Sequence, residues 1–252
     1  MNSFSLKGKH FLITGGTRGI GRAISLRFAR AGASVVANYV RDVRSAEQLM
    51  RDAGAEGLPL ELCRADLTSP KGLQQTVDFI EKAGLRFDGL VHCAATGVHK
   101  PIGELSARHF EWTFSLNVLA FMHVFKLMLP HFVPESSVVV LSSMGAAVAV
   151  PHYALVGSSK AAVESLARGM AAEYAPQGIR VNILRPGAVL TDAWRMIPDA
   201  ENRLATERQN TPLKRLVTVE EVACAAHFLC SQASAGIVGH TLVIDGGRSI
   251  VE

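Results

Sequence analysis

Short apolar runs rich in β-branched residues alternate with amphipathic helical patterns along the whole chain. The runs that predict strands lie at 9–14, 33–40, 58–64, 89–94, 136–142, 178–185 and 240–245. The patterns that predict helices lie near 19–31, 43–53, 70–83, 104–131, 155–175 and 218–231. This alternation is typical of a mostly parallel sheet with helices on both faces. Since crossovers between parallel strands are right-handed, we expect one doubly wound, Rossmann-like α/β domain over residues 1–252 with a seven-stranded sheet.

The composition narrows the function classes that the chain can serve. Of its 252 residues, 48% are hydrophobic, which is enough for a large core. The formal net charge is +4 and no run of Lys or Arg is present, so we expect no nucleic-acid partner. The most apolar stretch, 138–151, is too short to span a bilayer, and the chain runs directly into a predicted strand, so we expect no signal peptide. We therefore expect a cytoplasmic protein without a membrane partner.

The cysteines have no spacing typical of metal ligands, so no metal site is expected; they are Cys63, Cys93, Cys224 and Cys230. His92 and Cys93 stand side by side and invite interpretation as a nucleophile or a metal site. Adjacent residues on a strand face opposite ways, so we expect a buried structural pair instead.

The region 188–217 follows the sixth predicted strand and has no clear strand period. Ligands bind beyond the carboxyl ends of strands in such folds, so we expect a mobile substrate lid here. Trp194, Met196 and Ile197 are equally suited to line an acyl pocket or to pack inside the lid. Five basic residues either face an acidic carrier or are simply solvated; they are Arg195, Arg203, Arg208, Lys214 and Arg215.

A glycine-rich turn, TGGTRGIG at 14–21, joins the first predicted strand to the first helix. Its glycines permit a tight turn and a close approach of backbone N–H groups to a pyrophosphate, and the helix N-terminus adds partial positive charge. The alternative is a plain strand-to-helix turn. The candidate cofactor-binding residues here are Gly15, Thr17, Arg18, Gly19, Ile20 and Gly21.

The glycine spacing, TGxxxGxG, resembles that of the short-chain dehydrogenase/reductase family, and the resemblance covers the whole chain. It implies a nicotinamide cofactor. An acidic residue at the end of the second strand would accept hydrogen bonds from the ribose 2′-OH of NAD(H), but Asn38 stands there. Arg18 and Arg41 could instead bind a 2′-phosphate, so we expect NADPH; the alternative is that Arg41 points to water.

Other family positions also match. Asp66, with Leu67 beside it, occupies the position that contacts the adenine in the family; otherwise Asp66 would cap the next helix. Ala94 matches a cofactor-binding strand end, and Asn117 matches an asparagine that organises a proton-relay water. The segment that holds the carboxamide in the family corresponds here to Pro186, Gly187, Val189 and Thr191.

The pattern that bears most on the chemistry lies after the fifth strand. In the family, a serine precedes the catalytic tyrosine by thirteen residues and a lysine follows it by four. Ser143 and Lys160 stand at those positions, but Val156 replaces the tyrosine and has no proton to donate. Tyr153 stands seven residues before Lys160. Seven residues of helix return to within roughly 20° of the same face, about 10 Å along the axis, so Tyr153 and Lys160 can share one cleft. Because Pro151 precedes it, we expect Tyr153 at or just before the first turn of that helix.

A displaced hydroxyl suits the reduction of a conjugated double bond. Hydride attacks the β carbon of an enoyl thioester, and negative charge develops on the thioester oxygen several bonds away. Tyr-x6-Lys resembles the pattern of enoyl-acyl-carrier-protein reductases. Segments that resemble their third, NADPH-using type lie at 94–101, 142–145, 153–160, 208–212 and 245–249.

The resemblance to that type implies roles for three residues. Tyr153 is the catalytic acid, Lys160 holds the nicotinamide ribose hydroxyls and favours the charged form of the tyrosine, and Ser143 lines the site. The resemblance further implies enoyl-acyl carrier protein as the substrate, a place in fatty-acid synthesis, and a homotetramer.

Two other functions remain open from the sequence. One is a 3-oxoacyl or other ketone reductase of the same family with a rebuilt site. The other is a nucleotide-binding regulator without turnover, in which Tyr153 is a partly buried aromatic residue and Lys160 a solvated helix lysine.

Overall fold

The computed structural model describes residues 2–191 and 199–251. Trp194, Arg195, Met196 and Ile197 lie outside the described residues, so the expectations about them stay predictions.

The seven expected strands form one parallel sheet in the order β3-β2-β1-β4-β5-β6-β7. Their bounds are β1 His10–Thr14, β2 Ser34–Tyr39, β3 Leu60–Arg64, β4 Phe87–His92, β5 Phe132–Leu141, β6 Arg180–Pro186 and β7 Thr241–Ile244. The strand order reverses between β1 and β4, and ligands bind at the carboxyl ends of the strands at such a point. The doubly wound, Rossmann-like fold is confirmed.

Helices cover both faces of the sheet. They are α1 Gly19–Arg30, α2 Val43–Ala55, α3 Pro70–Ala83, α4 Ala107–Phe114, α5 Ala120–Met128, α6 Ala154–Tyr174, α7 Ala200–Asn210 and α8 Val219–Cys230. On one face, Phe28 of α1 and Leu229 of α8 lie in a core cluster with Phe11 of β1. On the other, Phe121 of α5 and Val163 of α6 lie in a second cluster.

The helix expected near 104–131 is interrupted. A π-helical turn, Ser115–Leu119, separates α4 from α5 and contains the buried Asn117. By length and composition alone, the stretch Ala107–His131 is long and apolar enough to cross a membrane. This stretch, and not only 138–151, is therefore strongly apolar. Its apolar character has a simpler cause, because Phe121 and Val124 are fully buried against the sheet.

The expected lid region contains a helix that the sequence pattern did not indicate. The helix α7 carries few apolar residues and buries none of them, so it lacks the amphipathic period that reveals other helices. Val189 and Val217 form an isolated parallel bridge. This bridge brings together the chain segments on either side of α7.

Candidate active site

The glycine-rich turn has the geometry of an anion cradle. Gly15 and Gly19 have φ values of 62° and 53°, which favour glycine over any residue with a side chain. A Cβ on Gly21 would lie 2.1 Å from the carbonyl oxygen of Gly15. Thr17 is buried, and Ile20 in the first turn of α1 packs against the core. The turn thus leaves its backbone and the N-terminus of α1 accessible to a pyrophosphate, which fits a dinucleotide.

Asn38 has a structural task at the end of β2. It is buried, and its Nδ2 donates to the carbonyl oxygens of Cys63 at 3.2 Å and Ala65 at 3.0 Å. These bonds tie β2 to the end of β3. The Asn38 amide is thus used in holding the strands together. With respect to the cofactor, Asn38 matters because it places no carboxylate at the end of β2.

Several arginines surround the end of β2. Arg18 and Arg41 are exposed. Hydrogen bonds from Ser45 lower the pKa of Asp42, and the positive charges of Arg18 and Arg44 lower it further, which places both near the start of α2. Arg64 donates from Nε to the carbonyl oxygen of Val40 at 3.2 Å. Four arginines and the carboxylate of Asp42 therefore lie near the end of β2.

Asp66 does not cap the next helix. Its Oδ1 accepts hydrogen bonds from the backbone N–H of Thr68 at 3.0 Å and from the Thr68 hydroxyl at 2.7 Å. The cap of α3 is Ser69, which accepts from the N–H of Gly72 at 3.1 Å. The alternative of Asp66 as a helix cap is therefore wrong. Its carboxylate shapes the turn after β3, and Leu67 beside it is buried.

The end of β4 shows the expected opposite orientations. His92 is buried against Phe121, and its Nδ1 pairs with the Thr14 hydroxyl at 2.9 Å. Burial lowers the pKa of His92 to about 3, and it raises the pKa of Cys93, which packs toward the other core, to about 12. Both groups are uncharged at neutral pH. The N–H of Ala94 donates to the Thr14 hydroxyl at 3.2 Å, which ties the strand ends of β1 and β4 together.

The segment after β6 reaches the glycine-rich turn. Gly187, directly after Pro186, donates its N–H to the carbonyl oxygen of Ile244 at 2.8 Å. The side chain of Thr191 lies 3.6 Å from the place where a Cβ on Gly19 would be. The predicted carboxamide segment and the predicted pyrophosphate turn therefore adjoin, as one cofactor spanning both would require.

Tyr153 lies just outside α6, at its N-cap, so the helical-face argument does not apply to it directly. Its ring lies on Gly145, where a Cβ would come 2.5 Å from Cδ1 and Cε1. The preceding His152 has φ 61°, a left-handed conformation that turns the chain into the helix. The Tyr153 hydroxyl donates to Ser143 Oγ at 3.2 Å. Burial raises the pKa of Tyr153, although the bond to Ser143 opposes this, so the phenol is a proton donor at neutral pH.

Lys160 is buried on α6 and is not a solvated helix lysine. Its Nζ donates to the carbonyl oxygen of Leu141 at 2.7 Å. Burial lowers its pKa to about 8, against the opposing influence of Cys93 and Glu164. Leu141 is the last residue of β5, and Ser143 follows it by two residues. Tyr153 and Lys160 therefore both contact the chain at the end of β5, although Tyr153 does not lie on the helix that carries Lys160.

Asn117 holds the loop that follows β4. Its Oδ1 accepts from the N–H of Thr96 at 2.8 Å, and its Nδ2 donates to the carbonyl oxygen of Thr96 and to Ser159 Oγ, each at 2.8 Å. Val156 is buried and lies against Gly97 in the same loop. Two consecutive residues of the loop are thus fixed to the π-helical turn and to α6.

Two residues near the site were not singled out from the sequence. The ring of His99 packs against that of Tyr153 with centroids 5.4 Å apart. Glu164 is buried, and it accepts from Ser142 Oγ at 2.5 Å and from both Nε and NH2 of Arg185 at 2.8 and 2.5 Å. No pattern in a single sequence distinguishes such residues from ordinary loop and helix positions.

A family model described as "Enoyl-(Acyl carrier protein) reductase" matches residues 15–249. The chain belongs to this short-chain dehydrogenase/reductase family. Among its relatives, a 1-cyclohexenylcarbonyl-CoA reductase of Streptomyces collinus is 34% identical, over 95% of this chain and 86% of that protein. A 7alpha-hydroxysteroid dehydrogenase of Escherichia coli strain K12 is 36% identical, over 98% of this chain and 96% of that protein.

Solved structures of the family show the same fold. A 7 alpha-hydroxysteroid dehydrogenase complexed with NADH and 7-oxo glycochenodeoxycholic acid has a TM-score of 0.90 and 35% identity, covering 97% of this chain and 96% of that one. A gluconate 5-dehydrogenase from Burkholderia cenocepacia J2315, complexed with NADP and tartrate, has a TM-score of 0.91 and 28% identity, covering 100% and 99%. The protein is accordingly an NAD(P)-dependent oxidoreductase of this superfamily.

Proposed function

We propose that the protein reduces the carbon–carbon double bond of trans-2-enoyl thioesters with NADPH, in fatty-acid synthesis. The observation that carries this proposal is the placement of the acid. Val156 occupies the usual tyrosine position and is buried under a loop, while the hydroxyl of Tyr153 points to Ser143 from outside the helix. An acid displaced in this way suits a substrate whose reacting carbon and charge-bearing oxygen are separated by several bonds.

The chain's own residues would stabilise charge and hold the substrate. NADPH, when bound, supplies the hydride that adds to the β carbon. Tyr153 would donate a hydrogen bond to the thioester oxygen as it becomes an enolate oxygen, because its phenol keeps its proton at neutral pH. The enolate would then take up a proton at the α carbon from solvent, which completes the saturated thioester. The phenol donates to Ser143 Oγ at 3.2 Å. When it donates to the substrate oxygen instead, the Ser143 hydroxyl would turn to donate to the phenol oxygen and keep it in place. Lys160 donates to the ribose hydroxyls, and its positive charge favours developing negative charge nearby.

The arginines at the end of β2 support NADPH over NADH. Arg18 and Arg41 are exposed at the cleft edge, with Arg44 and Arg64 beside them, and Asn38 brings no carboxylate. A 2′-phosphate would form charge-assisted hydrogen bonds with guanidinium groups there, whereas a ribose 2′-OH would leave them without an anionic partner.

A relative also supports the reaction class. The Streptomyces collinus enzyme is named for a thioester whose ring double bond is conjugated with the carbonyl. The competing candidate is a ketone reductase, which the similarity to 7alpha-hydroxysteroid dehydrogenase favours. The valine at position 156 favours the first candidate, because an ordinary ketone reductase of the family uses a tyrosine there.

Paired substrates decide between these candidates. Purified protein is assayed for NADPH oxidation with crotonyl-CoA and with acetoacetyl-CoA under identical conditions. We expect crotonyl-CoA to be reduced at least tenfold faster. Faster reduction of acetoacetyl-CoA would establish the ketone reductase, and NADPH binding without oxidation by either thioester would establish a nucleotide-binding regulator.

Acyl carrier protein as the substrate carrier and a homotetramer belong to the same proposal. Arg203 and Arg208 on α7 are candidates for contact with an acidic carrier, whereas Arg215 already forms an ion pair with Glu221.

Phe110 and Trp112 on α4 are half-exposed, which supports burial between subunits. Light scattering would test the tetramer, and rates with crotonyl-acyl carrier protein and crotonyl-CoA would test the carrier. A cytoplasmic location is compatible with this role.

A further inference from the structure

The loop after β4 presents a histidine to the candidate catalytic tyrosine. Asn117 binds both the N–H and the carbonyl oxygen of Thr96, and Gly97 lies so close to Val156 that no side chain fits between them. Two residues further on, the ring of His99 packs against the ring of Tyr153, with centroids 5.4 Å apart and an interplanar angle of 42°. The loop therefore holds His99 at a defined place.

The surroundings keep His99 in its neutral form. Its side chain is half-buried, and burial lowers its pKa; the positive charge of Arg203 on α7 lowers it further. Arg203 itself bonds to the carbonyl oxygen of Pro151 at 3.4 Å, two residues before Tyr153. A neutral imidazole carries one N–H donor and one acceptor, so it can donate a hydrogen bond to an oxygen without carrying charge.

We propose that His99 is a further catalytic residue, which donates a second hydrogen bond to the substrate carbonyl oxygen beside that of Tyr153. The role rests on the proposed function and extends it. The reduction leaves negative charge on the thioester oxygen, and two donors held in advance stabilise such a charge better than one. This role of His99 also explains the valine at position 156. Val156 packs against Gly97 and so supports the loop that carries His99.

Two substitutions at this position separate hydrogen bonding from packing. His99→Phe keeps an aromatic ring against Tyr153 but has no N–H donor, whereas His99→Gln loses the ring and keeps an N–H donor. With crotonyl-CoA, we expect kcat of His99→Phe to fall about a hundredfold to a thousandfold, the range for loss of one such donor. His99→Gln should retain a larger kcat than His99→Phe, and both should bind NADPH with the wild-type Kd.

Lys100→Gln is the matched control, because Lys100 lies on the same loop with an exposed side chain. It should behave as wild type. The proposal is overturned if His99→Phe keeps the wild-type kcat, if Gln and Phe lower kcat equally, or if the loss is confined to NADPH affinity. Failure of the proposed function is seen separately, as absence of crotonyl-CoA reduction by the wild-type protein, and it would overturn this role as well.

Discussion

Val156 lies directly against Gly97: a Cβ on that glycine would be 2.1 Å from Cγ2 of the valine. The residue that replaces the family's tyrosine is therefore part of a packed contact between α6 and the loop after β4. The loop after β4 therefore packs on the valine that stands in place of the family's tyrosine. A tyrosine could not be restored there without moving the loop.

This contact predicts energetic coupling between the two positions. Gly97→Ala should lower the free energy of unfolding by about 1–3 kcal/mol, because the added methyl group overlaps a branched side chain. In a Val156→Ala background the same change should cost less, which urea unfolding of both single variants and the double variant would measure. Gly103→Ala is the control, since no heavy atom lies within 4 Å of its added Cβ. Additive effects of the two substitutions would contradict the packing described.

The ring of Tyr153 depends on Gly145 for its position. Gly145→Ala would place a methyl group 2.5 Å from two ring carbons, so the phenol must move away from Ser143. We expect kcat with crotonyl-CoA to fall about tenfold or more, as small misplacements of a catalytic group cost rates of this order. The NADPH Kd should change little. A matched control is Gly169→Ala on α6, where the added Cβ meets nothing within 4 Å. Wild-type kcat in Gly145→Ala would show that the ring position is unimportant.

The buried Lys160 predicts a pH dependence of cofactor binding. Because burial lowers its pKa from 10.5 to about 8, the ammonium group loses its proton as the pH rises through about 8. The side chain then loses its charge and one N–H donor, so NADPH should bind more weakly above pH 8. Fluorescence titration of NADPH between pH 6.5 and 9.5 measures this. In Lys160→Met the affinity should be weaker throughout, and the decline near pH 8 should disappear; persistence of that decline would assign it to another group.

The arginines at the end of β2 predict a cofactor preference. Arg41→Ala should weaken NADPH binding about tenfold while leaving the Kd for NADH nearly unchanged, because only NADPH carries the 2′-phosphate. Affinities of both cofactors would be measured for wild type and variant. Arg51→Ala is a suitable control, since that arginine is exposed on α2 and bonds to Gln48. An equal loss for both cofactors would place Arg41 elsewhere than at the 2′-phosphate.

The sequence by itself determined the sheet, its strands and the glycine-rich turn after the first strand. Alternating strand and helix periods and closely spaced glycines are local signals, because they follow from side-chain burial and backbone sterics within a few residues. The sequence also indicates an altered reductase site, through the spacing of Ser143, Tyr153, Val156 and Lys160.

Only the tertiary structure decided how that site is assembled. Tyr153 stands outside α6, and its position depends on Gly145 and Ser143 from another segment of the chain. The hydrogen bonds of Asn117 with Thr96 and Ser159, the salt bridge of Glu164 with Arg185, and the approach of His99 to Tyr153 are contacts between residues far apart in sequence. Such contacts depend on how helices and loops pack across the sheet, and packing distances are not encoded in the period or spacing of any one segment.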